Sequence, residues 1–197
     1  MDSGSAPDDV ALARADLELI DALVVGDQAA VEAGLRYLEA DPWRFRSGYV
    51  KQRILSCLRR YELNTRQRGR LSDVLLRCVE VGERWEFSEA CKTAKRFQSD
   101  QLRDELVLRL YSTDLGIGVR ATRMVTALRH PRLSSQDLRR ARELLLRWAD
   151  ERQHLNEWTG VLVRKLWSPE WAEDLLARTE GTGTEARAAE RLLELVM

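Results

Sequence analysis

The chain has 197 residues, 44% hydrophobic and 32% charged, and its 32 basic and 32 acidic side chains leave no formal net charge. That composition is too apolar for wholesale disorder and leaves room for one sizeable core. No apolar run approaches the roughly 18 residues needed to cross a bilayer, and the acidic start MDSGSAPDDV lacks the features of a secretory signal, so a cytoplasmic protein without membrane association is expected.

Neutrality hides an internal polarity. Residues 1–42 carry ten acidic side chains against Arg14 and Arg36, a net of −8, whereas residues 43–77 carry ten basic ones against Glu62 and Asp73, a net of +8. Arginine supplies 28 of the basic residues and lysine 4. A forked guanidinium suits bidentate contacts to carboxylate or phosphate, while a GC-rich genome is the plainer explanation of the ratio. Cys57, Cys78 and Cys91 are odd in number, lack C-x-x-C spacing and fall on apolar helical faces, which predicts buried free thiols and no metal.

In chain order, residues 1–7 read as a disordered tail ending at Pro7. Val10, Leu17, Ile20 and Val24 then follow helical spacing, and Gly26 closes that helix. Asp27 caps a second helix with Val31, Leu35 and Leu38 inward, so the two form an acidic hairpin. Asp41-Pro42 supplies a cap and a first-turn proline for a helix running to about Tyr61, with Val50, Ile54, Cys57, Leu58 and Tyr61 on its core face. Arg46, Arg53 and Arg60 recur every seven residues, nearly two turns, and form a stripe on another side. Asn64 with Gln67 resembles a capping box, opening a helix with Leu71, Val74, Leu75 and Cys78 inward and Arg66, Arg70, Asp73 and Arg77 along one exposed face.

Trp85 falls in the charged connection GERWEF, where it is a candidate contact residue. Ser88 and Ser99 cap two further helices; the loop STDLGIG leads into VRATRMVTALR, ended by His130-Pro131; Ser134 caps the next. A helix over about 156–166, one starting at Ser168-Pro169-Glu170 and a final EARAAERLLELV complete about eleven helices without a convincing strand. The expected fold is a single all-α domain over residues 1–197.

The segment DVLLRCV from Asp73 matches ELLLRWA from Glu143 after a shift of 70 residues, with Thr65 over Ser135 and Arg70 over Arg140. VRATRMVTAL, LRRARELLL and ARAAERLLEL share an apolar-Arg-x-small-charged-x-apolar form. That form resembles the inner helix of HEAT or armadillo repeats. The resemblance implies a right-handed α-solenoid-like stack of antiparallel helix pairs; a compact irregular helical bundle is the alternative.

Enzymatic motifs are absent: there is no P-loop, G-x-G-x-x-G, G-x-S-x-G or H-E-x-x-H, and only His130 and His154 could act as imidazole bases. Glu170, Glu173 and Asp174 are what the first turn of a helix attracts, and Gly116 and Gly118 read as a turn; neither requires an ion. HEAT-like DNA glycosylases combine this fold with a carboxylate and tryptophans, and Trp148 and Asp150 are the nearest local match. Two residues apart, they point about 200° away from each other on a helix. No cofactor is expected.

The arginine rows therefore carry the functional expectation. Arg46, Arg53, Arg60, Arg66, Arg70 and Arg77, with Trp43 and Trp85, form a docking surface for an acidic protein, including the chain's own acidic hairpin or a second copy's. The alternative ligand is a DNA or RNA backbone, with Arg120, Arg123, Arg139, Arg140 and Arg142 extending the groove and Trp43, Phe45 or Tyr49 stacking on bases. A solvated helix face is the plainest reading. A non-catalytic adaptor or assembly subunit is the expected role, because a dedicated nucleic-acid binder is commonly basic as a whole domain.

Overall fold

A computed structural model of the protein describes residues 6–44, 46–82, 84–152, 155 and 157–196. Eleven helices are present among the described residues, and no strand: α1 (Ala6–Val24), α2 (Gln28–Ala40), α3 (Ser47–Leu58), α4 (Thr65–Val81), α5 (Phe87–Arg96), α6 (Asp100–Leu110), α7 (Leu115–Ala127), α8 (Ser135–Glu151), α9 (Glu157–Leu166), α10 (Pro169–Thr179) and α11 (Thr184–Glu194). None is long and apolar enough to cross a membrane. Residues 1–5 of the expected tail lie outside the described residues, as do Phe45 and His154.

Short polar side chains start most of these helices by accepting the first free amides. Asp27, Ser99, Asp114 and Ser168 each cap one, and Pro169 follows Ser168 in the first turn. Asn64 and Gln67 form a reciprocal capping box at α4, and Ser134 and Asp137 form the same device at α8.

Several helix starts differ from the sequence expectation, and α1 already begins at Ala6, inside the expected tail of residues 1–7. α3 begins at Ser47 instead of next to Pro42, because Asp41 ends α2 in a left-handed conformation (φ 44°) and spends its carboxylate on Lys51 and Arg84. α5 begins one residue before Ser88, where burial of Glu86 and Phe87 draws the chain inward. Gly116 and Gly118 lie inside α7. A Cβ at Gly118 would stand 2.8 Å from Leu144 Cδ2, so the glycine permits close packing of α7 on α8.

The residues group into two compact units, Met1–Gln98 and Ser99–Met197. In the first, Leu23, Leu35, Ile54, Leu55, Leu58, Leu71, Leu75 and Phe87 are almost wholly buried. Here α1 packs on α2 and α3, α2 on α3 and α4, and α5 on α3 and α4, so each helix meets the next or the next but one. Tyr61 Oη donates to the Leu23 carbonyl at 2.6 Å, fastening the end of α3 to the end of α1. In the second unit, Leu145, Leu162, Val163, Leu166, Trp171, Leu175 and Leu192 join α8, α9, α10 and α11 around one core.

The shift of 70 residues extends beyond the one helix pair legible in the sequence. It superposes the bounds of α4 on those of α8 and of α5 on those of α9, and it sets α3 within two residues of α7. Buried positions coincide as well: Leu71, Val74, Leu75 and Val79 stand over Ala141, Leu144, Leu145 and Ala149, and Ile54 and Leu55 over Met124 and Val125. The two capping boxes occupy equivalent places in this register. Replacing Asn64 or Ser134 by alanine is therefore expected to cost about 1 kcal/mol in either unit, measured as a fall in the urea midpoint by circular dichroism.

Candidate functional site

The residues between α2 and α3 and those between α4 and α5 meet above the first turn of α3 and enclose a groove of about 680 Å³. Asp41 and Arg46 are both left-handed, with φ of 44° and 64°. Holding a non-glycine residue there costs roughly 1–2 kcal/mol, so the surrounding contacts must impose it. Arg44 supplies some of them. Its guanidinium reaches both oxygens of Asp16 on α1, at 2.5 and 2.6 Å, and its amide donates to Ser47 Oγ. Trp43, next to Arg44, is 81% exposed.

Across the groove, Gly82 (φ 120°) ends α4 and turns the chain toward Arg84, Trp85 and Glu86. Gly48 lets this connection come close, since a Cβ there would lie 3.3 Å from Glu86 Oε2 and 3.6 Å from Trp85 Cβ. Trp85 is 87% exposed and Tyr49, on the first turn of α3, is 55% exposed. Arg84 lies over the Trp43 ring at 4.8 Å. Three aromatic rings thus rim the groove beside arginine side chains.

Beneath the groove lies a charge network built on the buried Lys51 and Glu86. Lys51 is 3% exposed and reaches Asp41 at 2.5 Å and Glu86 at 3.8 Å. Arg84 meets the same two carboxylates at 3.0 and 4.0 Å. Burial would raise the Asp41 pKa, but hydrogen bonds and charge from Lys51 and Arg84 outweigh it and hold the carboxyl below its usual range. A second, much smaller cavity of about 20 Å³ lies behind the network against Cys78. Burial, with the Glu86 and Asp41 charges nearby, pushes that thiol up to about 12 and leaves it protonated.

The structure divides the arginine rows. Trp43, Trp85 and Arg46 come together at the groove. Arg53 and Arg60 follow Arg46 up the same side of α3 and just past its end; both are exposed and make no ion pair or side-chain hydrogen bond among the described residues. Arg66 is exposed in the same way at the start of α4. Arg70, in contrast, grips both Glu39 oxygens at 2.6 Å and Glu32 at 2.6 Å, while Gln67 donates to Glu32 at 2.7 Å. Those bonds hold the Glu32 and Glu39 carboxyls below their usual range. Arg77 donates to the Glu39 carbonyl at 2.7 Å and so caps the end of α2. The acidic hairpin thus engages Arg70 and Arg77 of the second row, whereas Arg53, Arg60 and Arg66 stay exposed.

Residues expected to extend the surface are engaged within the second unit. Arg123 stacks on Trp158 at 4.7 Å, Arg140 donates to the Leu110 carbonyl at 3.0 Å and Arg142 to that of Leu166 at 2.9 Å; Arg139 is exposed. Trp148 is buried and packs on Trp158 at 6.1 Å, whereas Asp150 is exposed, so the two share no pocket. His130 is exposed. No cluster of His, Cys, Asp and Glu able to hold a metal ion occurs among the described residues.

Sequence reasoning missed the charge network beneath the groove: Lys51, Arg84, Asp41 and Glu86. One signal was present. In a chain with 28 arginines, a lysine set between the core positions Val50, Ile54 and Leu55 marks a buried cation that needs carboxylates from elsewhere. Removing one of them should be costly: Asp41→Ala is expected to lower stability at pH 7 by about 3 kcal/mol, read from the urea midpoint. The native Asp41 pKa lies below its unfolded value of about 3.9, so its contribution is complete above that pH and is lost as the pH falls through the native pKa. The acid limb of the stability profile should accordingly be shallower in the variant.

No family model matches the chain, and neither a curated protein nor a solved structure matches it.

Proposed function

We propose that this protein is a non-catalytic helical adaptor of the cytoplasm that docks an acidic surface of a protein partner along α3. The observation that carries this reading is the distribution of satisfied charge. Arg44, Lys51, Arg59, Arg70 and Arg84 each contact a carboxylate, whereas Arg53 and Arg60 are exposed along α3 and past its end, and the groove at its start is rimmed by exposed rings. An exposed arginine next to an exposed tryptophan is the composition of a protein-recognition patch. The repetition of α3–α5 as α7–α9 supports a helical-repeat architecture of the HEAT or armadillo kind, whose usual task is to offer such surfaces.

Nucleic acid is the second reading, favoured by Trp43, Tyr49 and Trp85 standing near arginines where unpaired bases could stack. Balance of charge favours protein: residues 1–98 contain 16 basic and 16 acidic side chains, and Glu86 itself lines the groove.

The test is binding of a fluorescein-labelled decamer of glutamate and of ten-nucleotide single- and double-stranded oligonucleotides to nuclease-treated protein across a salt series. The decamer should bind at low salt, and Arg53→Glu with Arg60→Glu should weaken it at least tenfold with the circular dichroism melt unchanged. Oligonucleotide binding with a steep salt slope and no decamer binding would transfer the assignment to nucleic acid. Failure to bind either would reject the docking surface.

A further inference from the structure

We infer that the groove and the α3 stripe together read one short linear motif: an acidic peptide in polyproline II conformation, with a proline at the groove and carboxylates three and six residues further on. This rests on the docking reading above and adds the conformation and spacing of the ligand.

Spacing carries the argument. Arg53 lies within α3 and Arg60 two residues past its end, where Arg59 keeps right-handed helical backbone and the Arg60 amide still bonds to the Cys57 carbonyl, so these two stand on nearly one line about 10 Å apart, while Arg46, the left-handed residue that opens α3, stands at the groove. A strand advances about 3.3 Å per residue but alternates its side chains, so residues three apart point to opposite faces. Polyproline II advances about 3.1 Å per residue with three residues per turn, so side chains three apart share a face about 9 Å from each other. It is the extended conformer whose period matches the stripe, and flexible arginine side chains absorb the difference of about 1 Å.

The groove supplies the other end of the motif. Segments in this conformation dock on aromatic-lined grooves, where proline rings lie flat against tryptophan and tyrosine faces. Trp43, Tyr49 and Trp85 provide such faces at the first turn of α3, one helical stretch before Arg53. A cationic anchor would meet Arg46 and Arg84, and a long aliphatic one would not use the exposed ring faces. Arg53 and Arg60 pair with no carboxylate among the described residues, so acidic side chains from the peptide complete them. The preformed conformation of such a peptide also lowers the ordering entropy lost on binding.

Two labelled heptapeptides of one composition decide the matter: Pro-Pro-Ser-Glu-Pro-Ser-Glu, with glutamates three apart, and Pro-Pro-Glu-Ser-Glu-Pro-Ser, with glutamates two apart. Measured by fluorescence anisotropy, the first should bind at least tenfold more tightly. Trp85→Ala, at a position 87% exposed and not needed for the core, should weaken the first peptide at least tenfold. Arg53→Glu should erase the difference between the two. Equal affinities, or full displacement of the first peptide by a dT10 oligonucleotide at equal concentration, would overturn the motif. If glutamate decamer binding persists and is lost on Arg53→Glu with Arg60→Glu while the heptapeptides bind equally, the motif alone falls. If the decamer also fails to bind, the docking reading falls with it.

Discussion

A lysine ammonium shut away from water has to be answered by carboxylates, and the candidate site is arranged around the answer that Lys51 receives. Asp41 comes from the end of α2 and Glu86 from the start of α5, so a single buried charge on α3 gathers three separate stretches of chain. Arg84 joins the same carboxylates and then lies over Trp43, which passes the constraint from the buried network to the exposed ring. Deleting any one member leaves an uncompensated charge indoors, a far larger penalty than the loss of a surface pair. The tryptophans at the rim are therefore held by rigid neighbours even though they are in water.

Arginine has a second task in this protein, and it accounts for part of the bias toward that residue. Arg77 donates to the carbonyl of Glu39, Arg140 to Leu110, Arg142 to Leu166, Arg164 to Leu195 and Arg191 to Ala149. Each acceptor lies at or near the end of a helix, where carbonyls lack intrahelical partners and the dipole favours a cation. The fork of a guanidinium can reach such a carbonyl from a neighbouring helix and still contact other groups, which a lysine does less well. Many arginines that look like a binding surface in the sequence are ties between helices.

That distinction explains how far the residues alone could be read. The helical class, the capping boxes at Asn64 and Ser134, the cap at Ser168 and the inward faces of α3, α4 and α8 follow from local rules of spacing and capping, and the sequence carries them openly. Both groove tryptophans and Arg46 were also legible, because aromatic residues in charged connections stand out. Separating Arg53 from Arg70 was not, since both occupy exposed-looking helical positions. Only the fold shows that Glu32 and Glu39, 38 and 31 residues earlier in the chain, face one and leave the other alone. The late start of α3 belongs to the same class: Asp41-Pro42 is a sound local start signal that lost to a tertiary competitor for the same carboxylate.

In the register that carries α3–α5 onto α7–α9, Thr113 stands where Trp43 does, Gly116 where Arg46 does, Val119 where Tyr49 does and Leu155 where Trp85 does. Three helices of nearly the same lengths close around a core without one aromatic ring or guanidinium of the groove at those places. Folding of such a triplet thus makes no demand for them, and the exposed rings of the first unit answer to something other than stability. The shared register marks Thr113 and Leu155 as the places where a second groove could be built into the same molecule.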